Sequence, residues 1–230
     1  MNRVDLQPCY ILKTQAYKET SVIHQVFSLD YGVVSIISKG SRVNTSKRGS
    51  LLQAHRALLI SWSGKGELKT LTAVEERLPI AQLKGTALYC GFYVNELLLN
   101  FLHKHDAHAE LFNGFATIIA QLSANTALEA NLRQFEKLLL NEIGYGLLLE
   151  YEVDTQLAIQ QDNSYRYQLN YGAIACEDSH PEAILGSTLI NLQLNKLSDK
   201  NELQQAKRLM RKLIDAQLNG KVLKSRELFI

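Results

Sequence analysis

Hydrophobic and polar residues alternate with a period of two through much of the first eighty residues. In Ser21–Leu29 the even-numbered and odd-numbered side chains separate into two faces, as they do in a strand. Turn sequences rich in glycine, serine and aspartate separate this run from its neighbours. The pattern predicts five short strands: Cys9–Lys13, Ser21–Leu29, Val33–Ser38, Ala57–Trp62 and Glu67–Val74.

Five strands without an intervening helix indicate a small closed barrel, and the oligonucleotide-binding fold is a five-stranded barrel of this kind. An SH3-like barrel or a small open sheet would produce a similar string of strands, so both remain alternatives. We predict an N-terminal oligonucleotide-binding barrel over residues 1–79, which ends at Pro79.

After Pro79 the hydrophobic period becomes that of a helix. The third helix in this part begins near Thr126, with Glu129 completing a capping-box pattern, and ends at Gly144. Residues 145–180 are mostly irregular, so the fold class is α+β, with a mainly helical domain over residues 80–230. The elements predicted in it are a short strand at Tyr165–Leu169 and helices at Leu88–Leu102, Leu111–Leu122, Thr126–Ile143, Pro181–Asn195 and Asp199–Leu218.

The composition is that of an ordinary folded protein, with 230 residues of which 46% are hydrophobic and 21% charged. The three cysteines lie far apart and form no CxxC pair, so neither a disulfide framework nor a zinc ribbon is indicated. No apolar run approaches membrane-spanning length, and no signal sequence is present. We therefore expect a cytoplasmic protein with buried, reduced thiols and no membrane partner.

The net charge of +2 conceals a strong segregation of charge along the chain. Residues 1–80 carry 11 basic and 6 acidic side chains, residues 81–200 carry 7 and 14, and residues 201–230 carry 7 and 3. Basic ends that flank an acidic middle indicate a surface for a polyanion such as nucleic acid.

The segment Ser38–Thr72 holds seven basic residues and one acid, Glu67. Most of its cations stand beside glycine or serine in turns, where clustered charge can bind phosphates through counterion release. The alternative is a set of solvated hairpin tips. The residues predicted to bind DNA here are Lys39, Arg42, Lys47, Arg48, Lys65 and Lys69.

The last predicted helix has an apolar stripe and a basic face on its opposite side. Like charges four residues apart on that face repel one another, and a bound anion would relieve the repulsion. A solvated face screened by salt is the alternative. The cations predicted to extend the DNA-binding surface are Lys207, Arg208, Arg211 and Lys212.

Two clusters suggest metal chemistry, but neither has convergent ligands. The histidines of His103–His108 do not share one helix face, and the acids of Glu150–Asp154 would lie on one side only in an extended segment. Neither a phosphate-binding loop nor a nucleophile elbow is present. We therefore predict no enzyme activity, no metal and no cofactor.

Ten short stretches stand out in order along nearly the whole chain: Tyr17–Ser21, Gly32–Ser35, Lys39–Arg42, Trp62–Thr72, Tyr93–Leu98, His105–His108, Leu111–Phe112, Phe135–Glu136, Gly144–Gly146 and Gly220–Phe229. Together they resemble the RecO family of bacterial recombination mediators. The resemblance implies binding of single- and double-stranded DNA, annealing of complementary strands and assistance in loading RecA onto DNA coated with single-stranded DNA-binding protein (SSB). Some members carry a four-cysteine zinc site, but the corresponding region here offers only Cys176.

The same resemblance implies two protein partners, RecR and the acidic, phenylalanine-ending tail of SSB. Such a tail needs an apolar groove with a cation at its rim, and Arg133 beside Leu132 and Phe135 is the predicted cation. A barrel that binds structured RNA is the alternative function, because it shares every electrostatic feature. A metal-dependent nuclease is a third possibility.

Overall fold

The computed structural model of the chain describes residues 3–41, 47–77 and 83–229. The contacts divide the chain into two compact units. Unit 1 is Met1–Asn125 together with Leu223–Ile230, and unit 2 is Thr126–Val222. The predicted boundary at Pro79 lies outside the described residues. The two helices that follow it belong to unit 1, together with the strands.

Unit 1 contains a closed barrel of five strands. The strands are β1 (Arg3–Tyr17), β2 (Ser21–Ser28), β3 (Gly32–Ser38), β4 (Leu58–Ser63) and β5 (Leu68–Glu76). Strand β1 pairs antiparallel with β2 on one side and with β4 on the other, and β3 pairs in parallel with β5. The order β1-β2-β3-β5-β4 is that of the oligonucleotide-binding fold, which confirms the predicted fold.

Strand β1 is much longer than the predicted Cys9–Lys13. Its pairing register shifts between Val4 and Gln7 and again between Ile11 and Lys13. Each shift interrupts the two-residue alternation, so the sequence pattern shows only the central part of the strand. A five-residue helix, α1 (Lys47–Leu51), was also not predicted.

The barrel interior is filled by small and medium-sized apolar side chains, together with one tryptophan. The fully or almost fully buried members are Cys9, Ile11, Val26, Val34, Ile36, Leu58, Ile60 and Trp62. The ring of Trp62 meets that of Tyr31 edge to face at 5.4 Å. The interior is therefore a packed hydrophobic core.

A second core lies on the outer face of the barrel, where α2 (Gly85–Phe101) and α3 (Ala109–Ser123) follow the strands. The ring of Tyr10 on β1 lies 4.9 Å from that of Phe115 on α3. The ring of Phe27 on β2 lies 5.4 Å from that of Phe112. Tilted and edge-on aromatic contacts of this kind add to the burial of apolar area, so they fix α3 against the barrel.

The C-terminal 3₁₀ helix, Lys224–Phe229, packs on α2 within unit 1. The carboxylate of Glu96 on α2 accepts hydrogen bonds from the backbone N–H groups of Lys224 at 3.0 Å and Ser225 at 2.9 Å. It also accepts one from the Ser225 hydroxyl. The acid thereby satisfies the orphan donors at the start of the 3₁₀ helix.

Unit 2 combines helices with a small three-stranded sheet of order β7-β6-β8. Its elements are α4 (Leu128–Glu142), β6 (Ser164–Gln168), β7 (Gly172–Ala175), β8 (Ile184–Leu185), α5 (Gly186–Gln193) and α6 (Lys200–Gln217). The strand predicted at Tyr165–Leu169 corresponds to β6. Strands of four and two residues are too short to show a period, which is why β7 and β8 were missed.

The predicted capping box at the start of α4 is wrong. The helix begins at Leu128 after Ala127, which has a left-handed φ of 49°, and no side chain caps it. Thr126 instead offers its backbone carbonyl oxygen to the side-chain amide of Asn131. The predicted end is confirmed, since Gly144 has a φ of 86° directly after the last turn.

We expect Gly32→Ala to destabilise unit 1 far more than Gly40→Ala. Both glycines have left-handed φ angles, 59° and 70°. A Cβ atom on Gly32 would lie 2.0 Å from the backbone oxygen of Asp106, whereas one on Gly40 would meet nothing within 4 Å. The left-handed conformation alone costs on the order of 1 kcal/mol, and the clash should add about 2 kcal/mol or more. Urea denaturation measures both free energies of unfolding, and equal losses would contradict the close approach.

Candidate nucleic-acid interface

Three of the predicted DNA-binding lysines follow the seam where β3 pairs with β5. Lys65 lies in the turn before β5, Lys69 lies on β5 beside Ile36, and Lys39 follows the end of β3. We call these three lysines the seam row.

The seam row is accessible. Lys39 and Lys65 are exposed, and Lys69 is half-buried with its amine 3.5 Å from the carbonyl oxygen of Gly64. Arg42 lies outside the described residues, and for Lys47 and Arg48 only the backbone, in α1, is described. The structure thus places three of the six predicted cations of this segment.

A chain of polar groups, of which His24 and Ser38 are buried, supports the turn that carries Lys39. The Nε2 atom of His24 lies 2.8 Å from the Ser38 hydroxyl, which lies 2.5 Å from the Ser41 hydroxyl on the other side of the turn. The Nδ1 atom of His24 lies 3.1 Å from the Thr14 hydroxyl. Burial lowers the pKa of His24 from 6.5 to about 4, so its ring is neutral at physiological pH.

Three lysines that the sequence did not single out surround a cleft of about 740 Å³ in unit 1. Lys13 lies on β1, Lys104 follows α2, and Lys224 begins the C-terminal 3₁₀ helix. All three are exposed. They are separated by about ninety residues or more in sequence, so no local charge pattern could have revealed the cluster.

The predicted basic face of α6 is present and exposed, opposite the buried Leu209, Met210 and Ile214. Two of its four cations are paired. The amine of Lys207 lies 2.8 Å from a Glu129 oxygen, and that of Lys212 lies 2.7 Å from a Glu182 oxygen. Exposed pairs of this kind contribute little to stability, so a phosphate can displace either acid at small cost.

The two arginines of this face differ in their surroundings. Arg208 and Lys212 stand at the edge of an apolar groove of about 300 Å³, whereas Arg211 is not among its lining residues. Tyr167, Ile184 and Leu209 form the buried floor of this groove. The groove therefore combines apolar surface with two cations at its rim, of which Lys212 is paired with Glu182, a carboxylate of the same lining.

The structure does not place Arg133 at the rim of a groove. The side chain is 5% exposed, and its Nε atom donates to Glu136 Oε2 at 2.7 Å. Leu132 and Phe135 are buried as well. A peptide could reach this guanidinium only if the buried ion pair with Glu136 opened.

The two clusters considered for metal binding have other contacts. His105 Nε2 lies 3.2 Å from a Glu67 oxygen, and Asp154 accepts a hydrogen bond from the Tyr171 hydroxyl. Across the described ranges, no group of three or more histidine, cysteine, aspartate or glutamate side chains is arranged to hold a metal ion. The same part of the chain contains no helix long and apolar enough to cross a membrane.

The cysteines are free thiols. Cys9 and Cys90 are buried, and Cys176 is half-buried. Burial raises the pKa of the Cys9 thiol well above its usual range, because the charged thiolate would be desolvated inside the barrel. Two of the three thiols are thus buried, in agreement with the predicted mostly buried cysteines.

Comparison with known proteins covers almost the whole chain. The family model described as Recombination protein O N terminal matches residues 1–77, and that described as Recombination protein O C terminal matches residues 82–227. A DNA repair protein RecO from Dechloromonas aromatica is 40% identical over 99% of this chain and 96% of its own length. Proteins of the same name from Methylococcus capsulatus and Nitrosococcus oceani are 40% and 42% identical, over 99% and 98% of this chain and 94% and 93% of their own lengths.

The fold is therefore that of an α+β protein built on an oligonucleotide-binding barrel, with exposed rows of cations on both units. The matches identify the family within this class. The chain belongs to the RecO family.

His24 should make the stability of unit 1 depend on pH. Its pKa is about 4 in the folded protein and near 6.5 in the unfolded chain, so only the unfolded chain gains a proton between these values. Its contribution is complete above about pH 6.5 and decreases as the pH falls towards 4. Since one pKa unit corresponds to about 1.4 kcal/mol, we expect His24 to account for about 2 kcal/mol of the stability lost between about pH 7 and pH 4.5.

The measurement compares urea denaturation of the wild-type protein and His24→Gln at these two pH values. Glutamine does not titrate, so the variant should lose less stability on acidification. If both proteins lose the same amount, His24 is not the group responsible.

Proposed function

We propose that this protein is a non-enzymatic DNA-binding mediator of recombination and DNA repair that acts in the cytoplasm. The observation that carries the proposal is the seam row, which lies on an oligonucleotide-binding barrel in a chain of the RecO family. Lysines beside the β3–β5 seam, with Lys39 and Lys65 exposed and Lys69 half-buried, suit a phosphate backbone, because the interaction requires positive charge and no base-specific geometry. The names of the relatives, DNA repair protein RecO, support the same role.

The protein binds both single-stranded and double-stranded DNA through cations on each unit. The seam row serves unit 1, and Lys207, Arg208, Arg211 and Lys212 serve unit 2. Annealing of complementary strands requires that their mutual repulsion be neutralised. Two separate basic surfaces on one chain can each neutralise a strand, which favours pairing.

The acidic tail of SSB binds unit 2 at the groove rimmed by Arg208 and Lys212. The groove provides the apolar floor that a peptide ending in phenylalanine requires, and Arg208 is its exposed cation, whereas Arg133 is buried. Lys212 can contribute if the peptide's acids displace Glu182 from it. Binding of SSB places the protein on coated DNA. There it acts with RecR to assist loading of RecA.

A barrel that binds structured RNA is the second candidate, since the seam row would attract any phosphate backbone. Competition between single-stranded DNA and RNA of equal length separates the two functions. Preference for the RNA would favour the second candidate.

Replacing Lys39, Lys65 and Lys69 together by alanine should weaken binding to single-stranded DNA and flatten its dependence on salt. Each lost phosphate contact removes about 0.7 from the slope of log K against log salt, so the slope should fall by about 2. Fluorescence anisotropy over a salt series measures both quantities. Lys137→Ala is a suitable control, because this lysine is bonded to the carbonyl oxygens of Leu192 and Gln193. A slope unchanged from that of the wild type would refute a role of the seam row.

Arg208→Ala should weaken binding of an SSB tail peptide about tenfold, because a charged hydrogen bond contributes on the order of 1.5 kcal/mol. Arg211→Ala is the matched control, since Arg211 lies on the same helix and is exposed but does not line the groove. Isothermal titration calorimetry with the peptide provides the affinities. Equal effects of the two substitutions would indicate general charge attraction in place of a groove.

A further inference from the structure

The cleft in unit 1 is a shaped cavity between the outer face of the barrel and α2, with the C-terminal 3₁₀ helix as one wall. Its volume of about 740 Å³ lies within the range of 300–1,000 Å³ typical of ligand sites. All of its lining residues belong to unit 1. The cleft is distinct from the seam row, because none of the three seam lysines lines it.

The cleft attracts negative charge. Lys13, Lys104 and Lys224 lie at its edge, and all three are exposed. Glu96 is the carboxylate among the lining residues, and it is occupied by the backbone N–H groups of Lys224 and Ser225. The local charge presented to a ligand is therefore positive.

Two side-chain amides also line the cleft, and in each of them one polar group is hydrogen-bonded within the protein while the other can bind a ligand. Asn100 donates from its NH₂ group to the carbonyl oxygen of Glu96 at 2.9 Å, which leaves its own oxygen as an acceptor. Gln25 accepts from the Ser35 hydroxyl at 3.2 Å, which leaves its NH₂ group as a donor. A cleft that offers both a donor and an acceptor suits the edges of nucleobases, whereas carboxylates would require donors alone.

An aromatic ring stands in the same cleft. Phe92 on α2 is 40% exposed, although it lines the cavity, and its ring lies 5.6 Å from that of the buried His55. The contact with His55 supports one side of the phenylalanine ring. An exposed ring held in this way is a stacking platform for an unpaired base.

We propose that the cleft receives an unpaired nucleotide of a bound DNA strand. The lysines contact its phosphates, Phe92 stacks on the base, and Gln25 and Asn100 bond to the base edge. This inference rests on the proposed DNA-binding function and names the ligand of one site within it. A duplex keeps its bases stacked and paired, so the cleft distinguishes single strands from duplexes.

An acidic peptide fits the cleft less well. The barrel is closed, so it offers no strand edge to which an extended peptide could add. A row of carboxylates could also accept a hydrogen bond from the NH₂ group of Gln25, but it has no donor for the side-chain oxygen of Asn100.

The test compares Phe92→Leu with Tyr89→Leu in the full-length protein. Tyr89 is also an aromatic residue on α2, 38% exposed, but it does not line the cleft. The probes are oligo(dT) of about 15 nucleotides, a duplex of the same length and an oligonucleotide of the same length with abasic sites, all followed by fluorescence anisotropy. Urea denaturation checks that each variant is folded, and Lys104→Ala provides a second variant at an exposed position.

We expect Phe92→Leu to weaken oligo(dT) binding roughly tenfold and to leave duplex binding within about twofold. The variant and the wild-type protein should bind the abasic oligonucleotide with equal affinity. Lys104→Ala should weaken oligo(dT) binding more than duplex binding, and Tyr89→Leu should match the wild type. Equal losses on oligo(dT) and duplex, or an unchanged affinity for oligo(dT), overturn the inference while the DNA-binding function stands. If these substitutions weaken the binding of an acidic peptide and leave DNA binding unchanged, the inference is also overturned. Failure of the wild-type protein to bind any probe would remove the proposed function and the inference with it.

Discussion

Closure of the barrel depends on β1, because this strand supplies the hydrogen bonds along both of its edges. A strand of 15 residues can reach from β2 to β4 only if it bends, and the two register shifts provide the bends. The shift between Ile11 and Lys13 also changes which side chains face outward. Ile11 enters the barrel core, and Lys13 reaches the edge of the cleft. One irregularity thus serves both closure and the basic surface.

Regular periodicity explains which parts of the fold were predictable. Strand β2 ends within one residue of its prediction, since its alternation is unbroken. The capping box at the start of α4 was mispredicted, because Thr126 and Glu129 have the right spacing for one while Ala127 has a left-handed φ. Strands β7 and β8 are set by pairing with β6 and not by their own sequences. Elements stabilised mainly by tertiary contacts were the ones that the sequence did not show.

The candidate site was predictable only where its cations are close together in the chain. The seam row and the face of α6 follow from local clusters, whereas the cleft gathers Lys13, Lys104 and Lys224 from three distant segments. For Arg133 the local sequence was misleading, since its apolar neighbours suggested a groove. Glu136, one helical turn further on, was the available signal that the charge is buried in an ion pair. A cation next to large apolar residues is thus ambiguous unless an acid three or four positions away is also considered.

The Glu96 carboxylate has a consequence for how the protein is made. Its partner Lys224 lies 128 residues further along the chain, with all of unit 2 between them. During synthesis the barrel and α2 leave the ribosome long before the segment that completes unit 1. Unit 2 can therefore fold before that segment has emerged. Until that segment is synthesised, the Glu96 carboxylate is solvated and α2 lacks the 3₁₀ helix that packs on it. Unit 1 is therefore the first unit to be synthesised in large part, but the segment Leu223–Ile230 completes it only after all of unit 2 has been made.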